Sequence, residues 1–266
     1  MEINFNGIDI DSDQYQLISR KLVQFKLACA KYSKRTLSNL AWSDYKKYCE
    51  EKLGYVFTYI NTLPNIGGRT RIIDGTVSII INSNPKINKG RLHFTYMHEI
   101  SHAIMHFNGA GEKNLFFASN TDAPKDYLET EADIGASLLM ADDLSLKKFA
   151  TYNNSFETLC DLWGYSKSAF KIRLRNYLIF NLSLSPQLAF KLINDFEYYG
   201  NNTLLFIIRN FRELQNFFDQ GYADLSYPDS LENCFNIIQC YSPKEAERLD
   251  KKYLFIFYNL FNHPGI

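Results

Sequence analysis

Residues 96–107 read YMHEISHAIMHF, which sets His98, Glu99 and His102 in the order His-Glu-x-x-His within a chain that has only 5 histidines among 266 residues. An unselected chain of this composition would show that pattern with a probability on the order of 0.005, so the order itself is a signal. On a helix, positions i and i+4 differ by about 40° around the axis, so His98 and His102 project side by side and can grip one ion. Glu99 lies about 100° from His98, beside such an ion rather than on it. A third ligand has to come from another element. Downstream, DYLETEADIGASLLM repeats the i, i+4 spacing with Glu129 and Asp133. One carboxylate can ligate while the other accepts a hydrogen bond from a ligating imidazole and fixes its tautomer, which assigns Glu129 to the ion and Asp133 to a histidine. Glu131 is the rival ligand, although it lies roughly 200° around the helix from Glu129. The extended metzincin pattern would need Gly and His where the chain has Met105 and Asn108, which excludes that subclass. His93 and His106 read as structural, and His263 receives no role.

The elements that must hold these residues follow from periodicity. Residues 12–56 have helix-like apolar spacing, with Leu17, Val23 and Leu27 in one segment and Leu40, Tyr45 and Tyr48 in the next. The period then shortens. RTRIIDGTVSIIINSNP is rich in β-branched residues around Asp74-Gly75, a hairpin signal, so Arg69 to Ile73 and Thr76 to Ile81 are expected as paired antiparallel strands. The motif helix follows Gly90, its stripe of Phe94, Met97, Ile100, Ile104 and Phe107 facing a core. From about 145 onward the pattern is helical again. The expected architecture is α+β: a domain with a small antiparallel sheet that carries the His-Glu-x-x-His helix over 1–145, a helix-turn-helix-like segment over 146–200, and an aromatic-rich helical region over 201–266.

Composition bounds the rest. With 46% hydrophobic and 22% charged residues the chain is globular in character, and Lys+Arg and Asp+Glu both number 29, so no net charge draws it toward nucleic acid or anionic lipid. The polar, acidic start MEINFNGIDIDSDQYQ lacks the features of a signal peptide, and no apolar run approaches 18 residues, which points to a cytoplasmic protein without a membrane span. The 5 cysteines are scattered without a Cys-x-x-Cys pair, as expected of reduced thiols.

Taken together, GRTRIIDGTVSIIINSN, RLHFTYMHEISHAIMHF and ETEADIGASLLM resemble the ImmA/IrrE family of zinc metallopeptidases of phages, mobile elements and stress responses. The resemblance covers roughly residues 40 to 180. It implies a zincin-like fold, one Zn²⁺ per chain (another divalent first-row metal could substitute) held by His98, His102 and Glu129, and Glu99 as the catalytic carboxylate. It also implies a protein substrate, a helix-turn-helix repressor. By analogy with the zincin layout, the strand containing Thr76, Val77, Ser78 and Ile79 is the expected place for substrate to add as an extra strand. Tyr96 and Tyr127 are candidate donors to the oxyanion from sequence proximity alone. The chain departs from the family at Ala141-Asp142, where a proline usually follows Leu-Leu-Met.

A second class of function competes. SFETLCDLWGYSKSAFKIRLRNY, residues 155–177, outlines a helix-turn-helix whose second helix carries Lys167, Lys171, Arg173 and Arg175. The alternative is therefore a DNA-binding or adaptor protein with a structural or vestigial metal site. Family members commonly carry a similar stretch as a packing element, and packing is the favoured reading here. The aromatic tail over 203–266 is expected to pack as a helical subdomain or to contact a partner.

Overall fold

The computed structural model describes residues 12–62, 67–107, 125–152, 154–182, 184, 186–200, 204–205 and 207–209. The chain divides into two compact units, one formed by 1–145 with 160–173, the other by 146–159 with 174–266. Almost all of the expected aromatic tail lies outside the described residues.

The first unit opens with helices α1 (Ser12–Ser33) and α2 (Trp42–Lys52), continues through strands β1 (Val56–Ile60), β2 (Gly68–Ile73) and β3 (Thr76–Asn82), and then carries helices α3 (Lys89–Met105) and α4 (Lys125–Met140). The hairpin forms as expected, with Gly68 opposite Ile81 and Ile73 opposite Thr76. Its turn has Asp74 and Gly75 both at positive φ, 49° and 77°, the type I′ geometry that suits the twist of a tight hairpin. The sheet as a whole is mixed rather than antiparallel. β1 pairs in parallel with β3, Val56 opposite Ser78 through Ile60 opposite Asn82, giving the order β1-β3-β2. VFTYI is short, but its β-branched and aromatic residues favour a pleated surface, and it begins two residues after Gly54, whose positive φ of 70° turns the chain out of α2.

The strand order corrects the expected docking strand. β3 is the central strand, so its backbone groups are committed to β1 on one side and β2 on the other, and Thr76, Val77, Ser78 and Ile79 cannot receive a peptide as a new strand. Val77, Ile79 and Ile81 instead bury their side chains in the core. Among the described residues no strand pairs with the outer edge of β2.

In α1 the core face is Tyr15, Ile18, Leu22, Phe25 and Cys29, while Leu17, Val23 and Leu27 are exposed. The i, i+3, i+4, i+7 ladder runs through the aromatic residues, which the spacing of the aliphatic ones conceals. α3 buries Met97, Ile100 and Ile104 and packs along α4. The two helices approach closely at Gly135, where a Cβ would stand 2.7 Å from Ser101 Oγ and 3.0 Å from Met105 Cε.

Arg173, on α7 (Lys167–Asn176), is wholly buried and donates to Ala141 O at 2.7 Å, to Tyr15 Oη at 3.1 Å and to Asp143 Oδ1 at 2.6 Å. Lys26 of α1 pairs with Asp142, whose other oxygen accepts from Ser145 N at 2.6 Å and caps α5 (Asp143–Phe149). Ala141-Asp142 is thus the junction at which α1, α4 and α7 are tied. Arg175 is buried too, so two of the four basic residues of the supposed recognition helix serve packing and are withdrawn from any groove.

The second unit contains α6 (Phe156–Trp163) in part, a π-helical turn at Tyr177–Asn181 and α8 (Pro186–Tyr199), with Phe156 edge-on to Phe196 at 5.8 Å. The described part of this unit is helical, in keeping with the sequence pattern. Among the described residues no helix is long and apolar enough to cross a membrane. Cys29, Cys49 and Cys160 are buried, and among the described residues they form no disulfide.

Candidate metal centre

α3 starts at an Asn88 cap, whose side chain accepts from Arg91 N at 2.7 Å, and runs without interruption through the motif. His98 and His102 therefore emerge one turn apart on the same face, as the i, i+4 spacing requires. Their Nε2 atoms lie 3.1 Å from each other. Glu129, reaching from α4, places Oε2 3.2 Å from His98 Nε2 and 3.5 Å from His102 Nε2. A tetrahedral zinc ion with bonds of about 2.0–2.2 Å spaces its ligand atoms about 3.3 Å apart. The three measured edges straddle that value, so the donor set fits one face of such a tetrahedron. Among the described residues this is the one group of three ligand-type side chains close enough to share an ion.

Each imidazole has a partner on its far side. His98 Nδ1 lies 2.8 Å from Asp133 Oδ1, one turn beyond Glu129 on α4. His102 Nδ1 lies 2.8 Å from His106 Nδ1, and His106 Nε2 lies 2.9 Å from Glu131 Oε2. Glu131 faces His106 and does not line the cleft, in line with its place on the other side of α4. Burial lowers the basicity of His98, but the bond to Asp133 and the charges of Asp133, Glu99 and Glu129 outweigh it and hold the ring above its ordinary value. Burial, reinforced by the charges of His98 and His106, pushes His102 down to about 4.

Glu99 is turned toward the sheet. It is 5% exposed, and burial raises its carboxyl above the usual range despite help from Thr70. The Thr70 hydroxyl is 2.7 Å from Glu99 Oε2 and 3.0 Å from the Glu99 carbonyl. Gly68, two residues earlier on the same face of β2, leaves the space that the carboxylate occupies: a Cβ there would fall 2.8 Å from Glu99 Cγ. Neither Gly68 nor Thr70 stands out in the sequence, where Gly-x-Thr is only the start of a strand.

These groups line a cleft of about 810 Å³ together with Arg69, Arg91, Phe94, Thr95 and Phe107. Phe94 and Phe107 belong to its wall rather than to the core stripe. Tyr96 and Tyr127 are not in it. Tyr96 is two residues from His98, hence about 200° around the helix, and packs against Trp42 at 4.9 Å, with Phe57 and Tyr59 beyond. The Tyr127 hydroxyl accepts from Gln14 Nε2 at 3.1 Å and bonds Glu131.

Compared with known families, residues 50–175 match the model of the IrrE N-terminal-like domain of the M78 peptidases. That family is one of metal-dependent peptidases, so the match supports a metallopeptidase-type function for this part of the chain, with His98, His102 and Glu129 as its possible metal site. No curated protein matches the chain.

Proposed function

We propose that this M78-family domain is a zincin-like, zinc-dependent endopeptidase of the cytoplasm whose substrate is a helix-turn-helix repressor. The observation that carries the reading is the triangle of donor atoms on His98, His102 and Glu129 with the Glu99 carboxylate beside it, all open to one cleft. Three protein ligands on an accessible face suit a catalytic site, which keeps a position free, better than a structural one, which is closed by four. That contrast, and the burial of Arg173 and Arg175, disfavour the adaptor or DNA-binding alternative.

His98, His102 and Glu129 would hold the zinc, which when bound would supply Lewis acidity toward the scissile carbonyl and lower the pKa of a water to about 7. Glu99 takes the proton of the attacking water and returns one to the leaving amine. Its burial above the ordinary carboxylate range brings its basicity nearer to the working pH, and Thr70 fixes the oxygen that is not exchanging protons. Asp133 orients His98. The substrate backbone pairs with the outer edge of β2, so Gly68 to Thr70 align the peptide while Phe94 and Phe107 contact its side chains. Main-chain pairing of this kind reads little sequence, so selectivity for a repressor has to come from contacts beyond the paired strand.

The test is co-expression with the repressor encoded beside the protein, reading cleavage by mass spectrometry and metal content of the purified protein in parallel. Cleavage by wild type, with loss of both metal and cleavage in His98→Ala and His102→Ala, is the expected result. Full metal content in both variants would remove the site, and an intact repressor beside an active peptidase would remove the substrate.

A further inference from the structure

His106 and Glu131 are left unexplained by the ligand set. Helix α3 ends at His106, but the capping bond there runs from its backbone N–H to His102 O at 2.9 Å, which any residue can supply. The imidazole does something else. It stands with its Nδ1 2.8 Å from His102 Nδ1 and its Nε2 2.9 Å from Glu131 Oε2, in a line of three groups that leads away from the cleft. Two ring nitrogens at that distance share one proton, and the question is which ring owns it.

The ligand set decides. A His102 that coordinates through Nε2 carries its proton at Nδ1 and donates it to His106 Nδ1, so the His106 N–H stands at Nε2, where the Glu131 carboxylate accepts it. In the opposite arrangement His106 Nε2 would turn a lone pair on the carboxylate, and His102 would carry its proton at Nε2, where a ligand needs electrons. We infer that His106 and Glu131 are positioning residues that select the ligating tautomer of His102 across two rings, an inference that rests on the metal site proposed above.

The surroundings make this relay more consequential than its counterpart on His98. Side-chain exposure is 7% for His106 and 9% for Glu131, but 59% for Asp133. Asp133 lies where water can take its place at His98, whereas the His106–Glu131 pair is largely shielded, and a hydrogen bond shielded from water is the stronger one. Burial opposes the ionised form of Glu131, but its bond with His106, followed by Lys21 and Tyr127, outweighs that and holds the carboxyl below its ordinary value.

The experiment measures zinc affinity of the metal-free full chain by competition with a chromogenic chelator, with the visible spectrum of the cobalt form as a second readout. Metal-ligand supports of this kind are worth about 10–100-fold in affinity. His106→Ala and Glu131→Ala should each lose that much, the double variant no more than the worse of the two, and Asp133→Ala less than either. Glu131→Gln keeps volume and one acceptor, so it should fall between wild type and Glu131→Ala. It keeps the test open if an alanine variant fails to fold, since wild-type affinity in it would then overturn the relay. Wild-type affinity in both alanine variants, or losses that multiply in the double variant, would also overturn it. A wild-type chain that binds no zinc would instead defeat the metal site itself.

Discussion

Gly68→Ala adds one methyl group at the point where the sheet meets the carboxylate of Glu99. Built on the observed backbone, that carbon would lie 2.8 Å from Glu99 Cγ, 2.9 Å from Glu99 Oε1 and 2.9 Å from Ile80 O. Ordinary contact begins at 3.4 Å, so the shortfall is 3.4 − 2.8, about 0.6 Å. The Glu99 side chain can yield to part of this, but Ile80 O is backbone, so β2 must also shift against β3, and both movements displace the Glu99 carboxylate from its place beside Thr70. A displacement of 1 Å in a reacting group can cost about 10²-fold, so a shift of this size should lower kcat by about 10–100-fold, or roughly 1.4–2.7 kcal/mol in the barrier. Overpacking should also cost about 1–3 kcal/mol of stability. Metal content should stay at the wild-type level, because neither residue is in the donor triangle. The assay is hydrolysis of a quenched fluorescent peptide library by zinc-saturated protein, with a thermal melt and metal analysis on the same samples. A folded, metal-loaded Gly68→Ala protein with wild-type kcat would refute the placement of Glu99 as the base.

Two further outcomes follow from the same structure. Arg173→Met should destabilise the first unit by about 3–5 kcal/mol, since it leaves Asp143 without its partner and breaks the tie between α1 and α7; a melt within 1 °C of wild type would contradict this. Zinc affinity should fall about tenfold per pH unit as pH drops below the raised value of His98, because a proton held there with Asp133 must leave before the ion enters. His102, already neutral down to about 4, should add no second proton to that slope, so a twofold steeper dependence between pH 6 and pH 5 would count against the assignment.

What could be read in the sequence was what depends on local periodicity. The i, i+4 pairs on α3 and α4, the Asp74-Gly75 turn and the helical character beyond residue 145 each need only a few neighbouring residues. β1 was not legible, because five residues between a helix and a turn carry no period long enough to distinguish, and its parallel pairing depends on β3, some 22 residues away. Without β1 the central position of β3 could not be seen, and the docking edge fell on the wrong strand. Gly68 and Thr70 escaped for a related reason: their importance comes from the crossing of β2 and α3, a tertiary fact. His106 read as an end-of-helix cation because its meaning lies in Glu131, on another helix 25 residues away. The exposure of Leu17, Val23 and Leu27 shows that aromatic residues, here Tyr15 and Phe25, can take the core face of a helix from aliphatic ones.

The central claim is that Glu99 works on a water beside an ion held by His98, His102 and Glu129. Its most direct test is the rate of peptide-bond hydrolysis by Glu99→Gln at a zinc occupancy matched to wild type. Replacing the carboxylate with an amide removes the proton acceptor and leaves the donor triangle intact, so hydrolysis should fall about 10²–10⁴-fold while bound zinc is unchanged. Hydrolysis at the wild-type rate with zinc bound would contradict the account.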